Sequence, residues 1–494
     1  MRPNLELLDG RLVERVLGEA FELLLDPGVR VQAPEAADLL AAAGAEVRGE
    51  VARIPGSVVR AALESAPRAF ALHDRSGEPA VRYGAGVVQF DPGSCGVHVL
   101  DPETLEHRSS RSADLVRLVQ VAEMLPEYAA QSTAVICSDV PAAIGDLYRL
   151  FLVLLHSARP VVTGAFTAGG SRAMVELLAA DAGGAEALAE RPRAVFDVCP
   201  SPPLTWSAFG GRNLVDLARA RVPVQIVSMP LAGGAAPVTL IGSVVQHAAE
   251  SLSGIAIHQL ARPGSPVVWG GAPAILDMRS GATPMGAVET AMLDVACAQV
   301  GRSLGLPTHG YLGATDAKVV DAQAGLETAT GAFLGGLGGI DLVSGAGMLD
   351  FLLCQSPEKL VVDAEAIGMV QRLLRGIGTP TETLAVAAFA AARPEGRFLE
   401  LDETRRLFRE EQRIPSKVID RASHQAWLDG GAVDTFGRAR GRVEQLLAAY
   451  RRPAPAPDVE AALVAIVRRE AERAGQGEPA ELPGLPADVA VGGG

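Results

Sequence analysis

From about residue 113 onward, short β-rich runs alternate with helical ones, and this rhythm constrains the fold more than any other feature of the chain. The runs are STAVIC (132–137), PVVTGAF (160–166), RAVFDVC (193–199), VPVQIVS (222–228), SPVVWGG (265–271), LPTHGYLG (306–313), GIDLVSG (339–345) and KLVVDAE (359–365). Helical patterns such as SADLVRLVQVAEML and AVETAMLDVACAQVGRSLG separate them. Eight strand–helix units over about 260 residues predict an α/β fold, a (β/α)8 barrel. The alternative is a doubly wound open sheet, but no convincing Gly-x-Gly-x-x-Gly follows a first strand.

The flanks read differently. Residues 11–25, 35–43 and 54–67 carry helical spacing, and 80–109 reads as a small antiparallel β unit. The expected division is an α+β segment over 1–112, the barrel over 113–375 and a helical segment over 376–452. Residues 453–494 then hold all but the two arginines of the stiff linker RRPAPAPD, an amphipathic helix at 459–475 and a disordered tail, GQGEPAELPGLPADVAVGGG. No period-matched repeat occurs.

Net charge is −14, which argues against nucleic acid and against an anionic membrane surface as partners. Residues 222–249 carry no formal charge, but Pro223, Pro230 and Pro237 would break a spanning helix there. The start of the chain shows no signal-peptide h-region. Five widely spaced cysteines without a Cys-x-x-Cys suit a reducing, cytoplasmic compartment. The eight histidines show no ligand spacing, so no metal site is expected, and no Gly-x-Ser-x-Gly elbow occurs.

In a barrel, function lives where strands end and βα-loops begin. The stretch GATDAKVVDAQAGLE (313–327) follows the sixth run and places Asp316, Lys318, Asp321 and Glu327 between two uncharged runs. If a helix starts near Lys318, then Asp316, Val320, Gln323 and Glu327 share one face. An ordinary Lys318–Asp321 surface pair explains the charges equally well. Asp316, Gln323 and Glu365 are the polar candidates for catalysis, and Trp206, Phe209, Tyr311 and Phe351 are the aromatic ones for substrate. The glycine-rich PLAGGAAP could cradle a phosphate but lacks the P-loop Lys and Ser/Thr, so a tight turn is the simpler reading.

Several blocks in order resemble one family: LLDPGVRV, LLAAAGAEV, ARIPGSVVRAALESAPRAFALHDR, VLDPETLEHR, SPPL, AGGAAPVTLIGSVVQHAAESLSGIAIHQLARPGSPVVWGG, TDAKVVDAQAGLE, SGAGMLD and LVVDAEAIG. Together they span roughly 18–450 and resemble the trimethylamine methyltransferases, including bacterial members without pyrrolysine. The resemblance implies a TIM barrel that demethylates a methylated amine and passes the methyl to the Co(I) corrinoid of a separate carrier protein. No tightly bound cofactor is implied in the chain itself. The lack of pyrrolysine argues against trimethylamine and for a quaternary amine such as a betaine. One departure is FLELDET, with Glu403 before Thr404 where the family usually has a histidine.

That chemistry needs neither zinc nor an activated serine. A quaternary ammonium already carries a neutral leaving amine, so positioning and electrostatics do the work. Aromatic faces and carboxylates hold such cations. Two rivals remain open. One is a Schiff-base lyase, which needs Lys318 buried with a depressed pKa. The other is a non-catalytic sensor of methylated amines. The oligomeric state, a homo-oligomer included, is open too.

Overall fold

The computed structural model describes residues 3–167, 169–392, 394–475 and 483–485. Eight short strands run parallel in it: β1 (Gln89–Pro92), β2 (Gln131–Ser132), β3 (Val161–Thr163), β4 (Ala194–Val198), β5 (Val224–Ser228), β6 (Val267–Gly271), β7 (His309–Tyr311) and β8 (Leu342–Ala346). They form a five-stranded sheet in the order β6-β5-β4-β3-β2 and a three-stranded sheet in the order β7-β8-β1. The sheets touch along both edges. At one, the Trp269 amide donates to Pro307 O at 2.8 Å and Trp269 bridges Thr308 in parallel. At the other, the Ala129 amide donates to Phe90 O at 2.8 Å and Gly96 bridges Val135.

Seven of the expected β runs overlap a strand, STAVIC only at Ser132, and the eighth does not. KLVVDAE lies inside the helix Pro357–Leu374. Ser356 caps that helix, and its buried Leu360, Val361, Ala364, Ile367 and Val370 recur at helical spacing. A short apolar run is ambiguous between strand and helix, and here the cap decides. The missing strand comes from the 80–109 region. There β1 pairs in parallel with β8, Leu342 facing Gln89 and Val343 facing Phe90. The expected antiparallel unit is thus two hairpins flanking β1, Phe70–His73 with Pro79–Tyr83 and His98–Leu100 with His107–Ser109.

The first hairpin plugs the amino ends of the strands. Its Leu72, Val81 and Tyr83 pack with Ala130, Val162, Val195, Val268 and Leu342, most of them from the first halves of their strands. Burying this apolar layer leaves the carboxyl ends as the open side for chemistry. Outside, the 22-residue helix Leu240–Ala261 is buried along most of its length. Helices Gly10–Leu25, Pro34–Ala42, Gly56–Ser65 and Ala208–Arg219 cover it. Its largely uncharged sequence therefore marks a core helix. Among the described residues no helix is long and apolar enough to cross a membrane.

The C-terminal helices pack back on this body. Thr435–Ala449 lies on Pro357–Leu374, and Pro457–Arg473 lies on Gly170–Ala182. The expected disordered tail falls mostly outside the described residues. Where it is described, Pro483 O accepts the Tyr148 hydroxyl at 2.8 Å.

Candidate functional site

Strand periodicity sends every second side chain inward, and above the apolar plug those side chains are polar. Asp91 of β1 accepts the Ser344 hydroxyl of β8 at 2.6 Å, and Ser344 Oγ lies 2.9 Å from His309 Nε2 of β7. Since Ser344 donates to Asp91, His309 donates to Ser344. Across the interior, the Tyr83 hydroxyl donates to Gln225 Oε1 at 2.7 Å, and Gln225 Nε2 donates to Asp197 Oδ1 at 2.7 Å. Two donor chains thus end on two carboxyls. Asp91 Oδ2 is buried without a hydrogen-bond partner, and among the described residues no basic side chain pairs with either acid.

Burial sets the ionisation here. It holds Asp91 well above the usual carboxylate range against the Ser344 bond, and the charge of Asp197 adds to the effect. It pushes Asp197 up to about 7 against the Gln225 bond. It drives His309 down to about 3, so the imidazole is neutral.

Above the acids sits an apolar collar of Val227, Ala272, Met285, Tyr311, Ala314 and Met348, flanked by Cys199 and Leu352. Tyr311 is oriented from both ends. Its amide is held by the buried Asp294, and its hydroxyl lies 3.1 Å from Ser94 Oγ. Its hydroxyl feels the charges of both Asp197 and Asp91.

The charged stretch 313–327 ties neighbouring βα-loops together. Asp316 accepts the amides of Met285 (2.7 Å) and Gly286 (3.1 Å) from the loop after β6. Glu327 accepts the Asp316 amide at 2.7 Å and Gln323 Nε2 at 2.8 Å. Asp321 caps the helix Ala322–Leu337. Lys318 reaches toward the loop after β8, where it pairs with Asp350 at 3.2 Å and lies 3.8 Å over the Phe351 ring. In that loop Asp350, Phe351 and Leu352 have φ of 50°, 55° and 72°. Three successive left-handed non-glycine residues cost about 1–2 kcal/mol each, so this loop is held in place by what surrounds it. Lys318 and His107, whose Nδ1 lies 3.6 Å from Asp350, are part of that restraint.

The residues singled out from sequence fare unevenly. Tyr311 stands at the collar, and Phe351 and Asp316 stand in the loops around it. The helix starts at Ala322, so Asp316 and Val320 precede it and do not share its face with Gln323 and Glu327. Phe209 is exposed in the first turn of Ala208–Arg219. Trp206 is fully buried away from the strand ends. It lies on a two-residue strand pairing with Val29–Val31, with its indole N–H on Ser253 Oγ at 2.9 Å. Glu365 is no strand-end residue, because its segment is helical, and it pairs with Arg413 at 2.7 Å. Lys318 keeps 54% of its side chain exposed, whereas the fully buried amine is Lys359. That removes the buried nucleophile the lyase alternative requires.

Asp91, Asp197 and Ser344 were missed. Their signal is a polar residue inside an otherwise apolar strand, in VVQFDPG, RAVFDVC and DLVSG.

Solved structures share this parallel α/β core. Monomethylamine methyltransferase of Methanosarcina barkeri matches with a TM-score of 0.51 and 11% identity, over 89% of this chain and 88% of that one. A hydroxylamine complex of the same enzyme type matches with a TM-score of 0.52. The family model described as trimethylamine methyltransferase matches residues 1–475, and the chain belongs to that family. It is 29% identical to a trimethylamine methyltransferase of Desulfitobacterium hafniense over 92% of this chain and 91% of that protein. It is 28% identical to a glycine betaine methyltransferase of the same species over 96% and 99%, and 31% identical to a trimethylamine methyltransferase of Methanosarcina thermophila over 90% and 93%. The chain is a methyltransferase.

Proposed function

We propose that the protein takes a methyl from a cationic methylated amine, of the betaine class, and delivers it to the reduced corrinoid of a separate carrier protein. The observation that carries this reading is the interior acid pair. A fully buried Asp91 and a part-buried Asp197, neither paired with a basic side chain among the described residues, make a site that can balance one positive charge. A fixed ammonium supplies that charge without bringing an N–H. Family membership and the whole-length likeness to a glycine betaine methyltransferase support the same substrate class.

On this reading the two parallel sheets, bonded along both edges, are one closed (β/α)8 barrel, and the collar is its mouth. The segment 1–112 lends the barrel its first strand, and the helices of 376–452 brace it. The acids and Tyr311 hold the ammonium, with the apolar collar excluding water from the methyl groups. Asp316, Gln323 and Phe351 shape the loops around it. The partner's corrinoid supplies the nucleophile. The C–N bond breaks and its electron pair stays on nitrogen, so the amine leaves neutral.

A carrier must reach that methyl, and the carboxyl-end loops suit it. Val97, Ile136, Phe166, Met229, Met278 and Leu353 stand exposed in the segments following β1, β2, β3, β5, β6 and β8. Exposed apolar side chains distributed in this way fit a transient protein interface. We place the reaction in the cytoplasm, where the reduced cysteines and a reduced corrinoid are both at home.

The test is direct. Adding a betaine and a reduced corrinoid carrier should change the corrinoid's visible absorbance only when enzyme is present. Phe166→Glu should slow that change about tenfold while leaving amine affinity by calorimetry within twofold. A betaine that binds tightly but gives no transfer with any of several carriers would hand the case to the sensor reading.

A further inference from the structure

We propose that Asp91 and Asp197 are the ammonium subsite and that they exchange a proton for the cation: empty, both carboxyls are protonated, and loaded, one of them is ionised. This rests on the cation reading above. The geometry points to it in three ways. Both donor chains, His309–Ser344–Asp91 and Tyr83–Gln225–Asp197, run toward the acids, so the network is built around acceptors. Asp91 Oδ2 has no partner, which leaves one buried acceptor for a ligand or a proton. Among the described residues no basic side chain balances the pair, so charge must arrive from outside or stay off.

The surrounding titratable groups cannot supply the proton. Burial keeps Tyr83, Tyr128 and Tyr311 well above their ordinary range, so they stay protonated. Burial keeps His309 neutral. Cys199 is also held up by burial. Set against these groups, the carboxyls hold the proton that can leave near neutral pH, and Asp197, at about 7, titrates there. The step balances: a cation enters, one O–H bond of the pair breaks, and the proton leaves to solvent. Because the pair interacts, the titration belongs to both groups together.

The experiment is calorimetry with quaternary ammonium probes: tetramethylammonium, choline and glycine betaine. Their nitrogens have no proton to lose. The heat of binding is compared in phosphate and in Tris at matched pH, so that the buffer's own ionisation heat reports protons released. Near pH 6 the expected result is about one proton released per probe bound, declining toward zero above pH 8. Affinity should rise about tenfold from pH 5.5 to 6.5 and level off above 7. Asp197→Asn should abolish both the release and the pH slope. Binding with no proton release at any pH overturns the inference and leaves the cation reading standing. No binding by any probe sinks both.

Discussion

Asp197→Asn should make the free protein more stable at pH 8 and, at the same pH, a much poorer binder of quaternary ammonium ions. The two effects have one origin. Burial raises Asp197 to about 7, far above a carboxyl in the unfolded chain. The folded protein therefore holds a proton that the unfolded one has lost between about pH 4 and 7. Stability falls as pH rises through that window and stays low above it. An asparagine keeps an oxygen for Gln225 and carries no charge to bury. The expected gain at pH 8 is up to about 4 kcal/mol, and it should vanish near pH 4. The same change removes the carboxylate that balances the ammonium, a loss of about 2 kcal/mol or more, roughly thirtyfold in affinity. Denaturant titrations at pH 4 and pH 8, with calorimetry on the same samples, give both numbers. A variant that is no more stable at pH 8 would show that Asp197 is not a buried, charge-penalised group.

This trade between stability and binding bears on what the sequence could reveal. Alternation of apolar runs was legible because the longer parallel strands are buried on both faces and are rich in apolar residues. The same logic failed twice at short range. KLVVDAE is apolar enough for a strand, but Ser356 and Pro357 start a helix there. QFDP is a strand in which Asp91 and Pro92 interrupt the apolar pattern, so it read as part of a turn-rich unit. On the proposed reading, the interruption is itself the functional signal. Asp91 sits where a buried strand would otherwise take a hydrophobe, and only pairing with β8 shows that it meets Ser344.

The stretch 313–327 shows the converse. Its charges stood out in one dimension, yet Asp316 accepts two backbone amides, Glu327 accepts one amide and the Gln323 side chain, and Asp321 caps a helix. Conspicuous charge there makes a scaffold for the loops. Tyr311, nearly hidden in LPTHGYLG, is the residue that stands over the acids. Trp206 was the more conspicuous aromatic, and Ser253 and the N-terminal sheet account for it entirely. Sequence separates strand from loop well, but it cannot say which side of a strand-end residue meets a ligand.

The other large effect is expected at Lys359, which no functional argument from sequence touched. Its ammonium is fully buried, 2.6 Å from both oxygens of Asp363 one helical turn on and 2.6 Å from the Thr328 hydroxyl. Asp363 Oδ2 also accepts the Gly347 amide at 2.7 Å. Gly347, at φ 83°, precedes Met348 of the collar, so this pair fixes the end of β8 to the helix behind it. Lys359→Met keeps the length of the side chain and strands Asp363 as an uncompensated buried charge. The expected destabilisation is about 3–5 kcal/mol, read as a lower denaturation midpoint at unchanged slope. Adding Asp363→Leu removes that charge, so the double variant should recover at least half of the loss. It should not recover all of it, because the Gly347 amide then lacks its acceptor, a penalty of about 1–3 kcal/mol. A double variant no more stable than Lys359→Met would mean that the two side chains contribute independently. The Gly347 contact, and not the ion pair, would then be what anchors the collar.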